Sequence, residues 1–394
     1  MTDNRNLIIA VLLSLGIFLG WEYFVGAPKM KADQARQAQA ALQHKPDQAT
    51  SQAAAPAKAL SRGEALKRGG ARIAIDTPSV DGSLLLKGAR LDDLRLKNYR
   101  DTIDPKSPEI ELFSPQASPH PYYAVFGFVA VPGEKIAVPD GATAWTQQGT
   151  GTLTPAHPVT LTWDNGHGLV FTRKIAVDDK FMFTVSDSVA NKSSAKVSLQ
   201  PFAYVARDGV PTSQHYWVLH EGFVGYAGGL KDPSYDDFKD DTPPKTFTAT
   251  GGWLGITDKY WMASLIPPQD QSFDGSYSAQ AGQAKHYQAD YRLAARTLAP
   301  GATTTVDHRL FAGAKVYDVL NGYKKKLGIA DFDYAIDWGW FWFITQPLFL
   351  LLDQLYHLLG NFGIAILALT VVVKLVFFPI ANAQYKSMAK MKKL

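Results

Sequence analysis

The chain has 394 residues, of which 46% are hydrophobic, with a formal net charge of +4 and no cysteine. That is enough apolar material for one or two cores, and the charge is too small for a polybasic nucleic-acid binder. The absence of cysteine excludes a disulfide framework, a thiolate metal site and a cysteine nucleophile, and it leaves the compartment to be read from the two hydrophobic ends.

Residues 7–24, LIIAVLLSLGIFLGWEYF, carry one acid, Glu22, near their end. Eighteen helical residues rise about 27 Å, close to the hydrocarbon thickness of a bilayer. A cleaved signal peptide should have a shorter apolar run and a small-residue cleavage site, whereas this run ends in WEYF, an aromatic cluster suited to the interface. The reading is an uncleaved transmembrane anchor preceded by a short N-terminus, residues 1–6. Residues 25–70 are rich in Ala, Gln and Lys with few large apolar side chains, and read as a flexible linker.

From Ala71 the texture changes to short alternating runs such as GLVFTRKIAV and FMFTVSDSVA, punctuated by Gly, Pro, Asn and Asp. These predict a large antiparallel β domain, a two-sheet sandwich rather than a closed barrel, over residues 71–328. Val316, Val319, Leu320 and Tyr323 recur at helical spacing before Gly328, which predicts a closing helix.

Residues 334–359 crowd Trp338, Trp340, Phe341, Trp342 and Phe343 together, and after Pro347 an apolar stripe is broken by Asp353, Gln354 and His357 on one face. This predicts an amphipathic helix lying in the membrane interface, with a core helix of the β domain as the alternative. After the break at Asn361 and Gly363, residues 361–380 predict a second transmembrane helix. Residues 381–394 begin a basic segment, with Lys386, Lys390, Lys392 and Lys393 and no acid. Positive residues stay in the cytoplasm, so with two spans both termini are cytoplasmic and the β domain lies across the membrane, in the periplasm of a bacterium with two membranes.

Lys374 stands inside the second span, where a lysine costs roughly 2.5–3.5 kcal/mol on insertion scales. Its stem could snorkel to the cytoplasmic headgroups, about 9 Å away along the helix. Thr370 lies one turn before it on the same face, and Gln384 follows nearly three turns later, rotated by roughly 80°. Spacing alone leaves snorkelling and a wet functional groove both open.

At these residues the chain resembles the YidC/Oxa/Alb family of membrane protein insertases, of the Gram-negative type with a large periplasmic domain. The resemblance is carried by NRNLIIAVLL, GGWLGITDKYWMASLIPP, GWFWFITQPLF and GNFGIAILALTVVVKLVFFPIANAQYKSMAKMKKL, in that order along the chain. It implies a twisted supersandwich similar to mutarotase folds, and an intramembrane groove whose positive charge receives the polar tail or loop of an incoming protein. Lys374 falls at that charge, where most of the family carries arginine, and Thr370 and Gln384 are its expected groove companions. It further implies nascent membrane proteins, the lipid bilayer and the Sec translocon as partners, an inner-membrane location, no cofactor and no covalent chemistry. A family core of five spans would also place a cytoplasmic hairpin and four more spans beyond Leu394, so the chain reads as part of a longer protein.

Other chemistry is weakly signalled. His215, His220 and Glu221 lie close in sequence but without HExxH spacing, among aromatics that suggest strands, so surface or sheet residues are favoured over a zinc site. There is no Walker A loop, GxGxxG or GxSxG elbow. Two rival readings are an anchored periplasmic carbohydrate-binding or carbohydrate-converting protein, and a docking platform for the translocation machinery.

Overall fold

A computed structural model describes residues 60–210, 220–239, 242–282, 284–339 and 341–391, with the side chains of residue 385 and of residues 387–391 excepted. The expected anchor at residues 7–24, the linker up to residue 59, His215, Trp340, Lys392 and Lys393 lie outside the described residues. The chain divides into a β unit ending at Ala335 and a helical unit from Ile336 onward.

The β unit is a sandwich of a ten-stranded and a nine-stranded sheet among the described residues. Its strand pairs are antiparallel, as short connections and one-sided burial favour. Val197–Asp208 lies central in the first sheet, between Tyr122–Ala130 and His286–Leu293. In the second sheet Met182–Asn191 lies between Leu169–Val177 and Thr303–Ala314. Burial alternates along Leu169–Val177 and Met182–Asn191, so one side of each strand fills the space between the sheets. Phe171, Phe183, Phe223, Phe273, Phe311 and Trp253 are the large apolar anchors of that core.

Charged and titratable groups also lie in it. Arg173 and Asp187, directly opposite each other on neighbouring strands, form a two-pronged pair at 2.6 and 2.8 Å. The guanidinium also donates to the carbonyl of Phe126 in the other sheet at 2.6 Å and to that of Ala89 at 3.3 Å, and it lies over the Trp145 ring. His308 is fully buried, its Nδ1 hydrogen-bonded to the Tyr291 hydroxyl across the sandwich and its Nε2 without a partner. Burial pushes the His308 imidazole down to about 4 from its ordinary 6.5. The unfolded chain therefore binds a proton that the folded chain refuses between those values. Stability is complete above pH 6.5 and falls as the pH drops toward 4, by about 3 kcal/mol over the whole window at about 1.36 kcal/mol per pH unit. Urea unfolding of the chain in detergent at stepped pH should show that loss, and His308→Gln should flatten it.

The folded unit begins before Ala71. Arg62–Gly69 forms a helix (α1) whose N-terminus is closed reciprocally by Ser61 and Glu64, with Ala65 buried and Arg62 paired to Asp93. The expected linker boundary at Gly70 is thus corrected: a capping box supplies the local order that the polar composition conceals.

The closing helix is Tyr317–Leu327 (α2), ended by Gly328 in the left-handed region at φ 66°. Beyond it, residues 328–335 run as a strap bound to the β unit, past the expected boundary at Gly328. Phe332 is fully buried, packed edge-on against Trp253 and Phe311. The Trp253 indole donates to the Ala330 carbonyl at 3.0 Å, and Lys324 donates to both Asp331 and Asp333 at 2.8 Å. Lys324's hydrogen bond holds the Asp331 carboxyl below its usual range.

In the helical unit, Asp337 accepts from the Gly339 N–H at 2.8 Å in a tight turn, with Gly339 at φ 67°. The helix expected over 334–359 therefore starts only at Trp342, because that turn is not helical and the preceding residues belong to the strap. Helix α3, Trp342–Leu359, ends at left-handed Gly360. Asn361 then caps the next helix, its side chain accepting from the Ile364 N–H at 3.1 Å. Helix α4 runs Phe362–Met391.

Candidate functional site

Helix α4 contains the stretch Phe362–Gln384, 23 residues long and apolar enough to cross a membrane, with 6% of its most apolar window buried. Ala365 is fully buried, while Leu375, Val376, Phe377 and Phe378 are exposed. An apolar helix exposed on nearly every side suits lipid rather than water.

Lys374 is exposed on this helix, and the sequence from Phe362 onward offers it no acid. Thr370 is one turn earlier, exposed, with its hydroxyl donating to the Ile366 carbonyl at 2.9 Å. That bond satisfies the hydroxyl's donor inside its own helix and leaves its oxygen free to accept. Gln384 is exposed on the same helix, farther along and off the Thr370–Lys374 line. The fold thus joins Thr370 and Lys374 in one polar patch and leaves Gln384 near the end of the span.

Pro379 lies within α4, a feature the sequence reading passed over inside VFFPI. Proline has no N–H to give the carbonyl of Leu375, the residue next to Lys374, so the backbone ladder is interrupted there. In hydrocarbon a freed carbonyl is costly unless water or protein reaches it. The signal was present in the sequence as a proline in the middle of an apolar run.

Of the expected interfacial residues, Trp338 is buried, its ring 5.3 Å from that of Phe349, and its carbonyl accepts from the Thr345 hydroxyl at 2.6 Å. Trp342 is exposed at the start of α3, and Pro347 stands one and a half turns in. Asp353 and His357 meet one turn apart, the His357 Nδ1 lying 2.9 Å from the Asp353 carbonyl. In the β unit His220 lies just before strand Gly222–Tyr226, its ring nitrogen 2.7 Å from the Phe223 carbonyl.

A family model described as the YidC periplasmic domain matches residues 72–351, and one described as 60Kd inner membrane protein matches residues 354–394. The chain is 48% identical over 408 residues to the membrane protein insertase YidC of Nitrobacter hamburgensis, covering 100% of this chain and 67% of that protein. It is 47% identical over 408 residues to that of Rhizobium meliloti, covering 100% of this chain and 68% of that protein. Among solved structures, a galactose mutarotase related enzyme from Lactobacillus acidophilus matches with a TM-score of 0.42 and 11% identity, covering 61% of this chain and 97% of that one.

Proposed function

The chain belongs to the YidC membrane protein insertase family, and from that premise we propose that α4 forms part of a hydrophilic intramembrane groove in which Lys374 receives the polar tail or loop of a nascent membrane protein. The observation that carries this is a lysine exposed on a span-length apolar helix, with Thr370 a turn away and the backbone ladder broken beside it by Pro379. The lysine and the freed carbonyl are costly in dry hydrocarbon and cheap where water enters, and Thr370 adds a hydrogen-bond acceptor beside them.

The activity is non-covalent. The client's apolar helix gains roughly 25 cal/mol per Å² of apolar surface on leaving water. A negative tail gains about 2.3 kcal/mol per charge per 100 mV of membrane potential on crossing. The groove's part is to lower the barrier between these states, by giving the tail a wet, positive resting place partway across.

In this proposal residues 7–24 anchor the chain, α3 lies in the interface with Trp342 and Pro347 in its first turns and Trp338 shortly before it, and α4 crosses the membrane with its basic end in the cytoplasm. The β unit then lies in the periplasm. Exposed Lys386 and the acid-free basic terminus support that orientation. Nascent membrane proteins and lipid are the partners required; the Sec translocon is a further partner, carried by family membership alone.

The test is reconstitution of the chain into vesicles of phosphatidylethanolamine and phosphatidylglycerol with a small single-spanning client bearing an acidic tail. The expected result is a protease-protected tail fragment at several times the level in protein-free vesicles. Equal protection with and without the chain would refute insertion by it.

A further inference from the structure

We propose that the open edge of strand Lys245–Thr250 is a docking site for an extended, not yet folded segment of a client protein, which adds to the ten-stranded sheet as a further strand. This site deepens the reading of the chain as an insertase and rests on it, with the β unit on the side where client tails arrive.

The two sheets end in strands of unlike kind. A sheet edge offers its N–H and C=O groups to any extended chain, and proteins ordinarily shorten, charge or cover such edges. Arg72–Asp76, at one end of the ten-stranded sheet, is covered: the Leu153 N–H donates to the Ala74 carbonyl at 2.8 Å, and the Asp76 N–H donates to the Leu153 carbonyl at 3.0 Å. The nine-stranded sheet ends in Leu230–Lys231 and Thr146–Gln148, two and three residues long. Glu109–Phe113, paired beside the first sheet, carries Glu109 and Glu111.

Lys245–Thr250, the other end of the ten-stranded sheet, has none of these protections beyond Lys245 itself. Its six residues pair with residues 272–277 without a bulge, and residues 246–250, TFTAT, carry no charge and no proline. Among the described residues, no backbone group outside the sheet hydrogen-bonds to residues 246–250. In an antiparallel strand alternate residues turn both backbone groups to the same side, so roughly half of these residues present theirs to the open edge. The edge is also held in place. Phe247 packs on Phe273 and Tyr277, ring centroids 6.3 and 5.3 Å away, and its ring lies over Gly275, where a Cβ would meet it at 2.4 Å. On the opposite face the Thr248 hydroxyl donates to Asp274 at 2.6 Å. Both faces thus fix the strand before anything adds to it, which lowers the ordering cost of binding.

The size of the edge picks its occupant. Five residues extend about 17 Å, and a contact of that length and one strand wide covers on the order of 200–300 Å² a side. A stable dimer needs about 800 Å² per partner, so a second copy meeting this edge alone makes too small a contact. An extended segment loses nothing by the narrowness. Main-chain pairing recognises clients of unlike sequence, and a weak hold permits their release. The two faces set the pattern of the segment: apolar side chains beside Phe247 and Ala249 at the rim of the core, polar ones beside Thr246, Thr248 and Thr250.

The probe is an octapeptide of alternating threonine and valine with a terminal cysteine, set against a counterpart with two central prolines, which cannot join a sheet. With the full chain in detergent, the fast-exchanging amides of residues 246–250 should slow about tenfold or more at saturating octapeptide, and not at all with the proline counterpart. Because the chain has no cysteine, Thr248→Cys can form a disulfide with the octapeptide without background. It should do so about tenfold faster than Thr172→Cys, which sits on a strand paired on both sides. Unchanged exchange, or equal effects of the two peptides, would overturn the proposal. So would slowing that grows with protein concentration and needs no peptide, accompanied by Thr248→Cys dimers, since the edge would then belong to a second copy. In vesicles, Thr248→Cys should cross-link to a cysteine in the acidic tail of the single-spanning client. Insertion without that cross-link would overturn the client as occupant and leave the reading of α4 intact. A tail that never becomes protected from protease would overturn the reading of the chain as an insertase, and this proposal with it.

Discussion

Lys374→Ala is expected to insert clients with acidic translocated tails at least about tenfold more slowly, and Lys374→Glu more slowly still, while Lys374→Arg inserts them at close to the normal rate. The magnitude follows from one ion pair. Unit charges 4 Å apart attract by about 1 kcal/mol in bulk water and about 4 kcal/mol at an effective dielectric of 20. A wet groove lies between those limits, and each 1.36 kcal/mol or so of barrier is about tenfold in rate. Glutamate replaces that attraction with repulsion at the same place. Arginine restores the charge and offers a planar fork that can hold a carboxylate by two bonds, so it keeps or strengthens the hold. Clients with uncharged tails should be nearly indifferent to all three changes. Single-turnover insertion into vesicles, scored by protease protection for matched acidic and neutral tails, measures both comparisons at once. If Lys374 merely snorkels, the alanine variant gains membrane stability and loses no rate.

The second large effect is one of stability. Arg173→Leu is expected to cost about 3–5 kcal/mol, because it strands the Asp187 carboxylate between two sheets and releases the carbonyls of Phe126 and Ala89 from their donor. Asp187→Leu alone should cost a similar amount by stranding the guanidinium. The double replacement should recover much of the loss, since an apolar pair in a buried site is often no worse than the ion pair it replaces. Urea unfolding of the four proteins completes the cycle and isolates the coupling. The exposed pair of Lys97 and Asp76, 36% and 66% accessible, is the contrast: Lys97→Ala should cost less than about 1 kcal/mol.

The β sandwich was legible because period-two burial is written directly into strands such as GLVFTRKIAV and FMFTVSDSVA. The same register also marks the buried polar groups. Arg173 shares parity with Leu169, Phe171, Ile175 and Val177, Asp187 with Phe183, Val185 and Val189, and His308 with Val306 and Leu310. A charge on the apolar parity of a strand is an inward charge, and counting parity would have found all three. Helix ends were less legible, since they depend on single residues. Ser61 and Glu64 turn a polar stretch into α1, and the Asp337 turn delays α3 to Trp342.

At the candidate site, one residue could be found by its cost. A lone lysine in an apolar span stands out whatever surrounds it, whereas Pro379 contributes by an atom it lacks, and only the helical geometry of α4 shows that the freed carbonyl belongs to Leu375, the residue after Lys374. Gln384 was placed with them as part of a broad polar face, nearly three turns on and rotated by roughly 80° at ideal helical geometry. Ten residues of helix carry it to a different face, so its part in the groove rests on the breadth of the polar surface rather than on alignment.

The most direct measurement of a wet cation in α4 is the reactivity of Lys374→Cys toward a membrane-impermeant maleimide, with Lys386→Cys and Val376→Cys as references. Val376 lies on the face of α4 opposite Lys374. Reagent added from the cytoplasmic side should modify position 374 at a rate within about tenfold of position 386, while position 376 stays unmodified. A position 374 as unreactive as position 376 from both sides of the membrane would mean a dry, lipid-facing lysine, and α4 would then be an anchor without a groove.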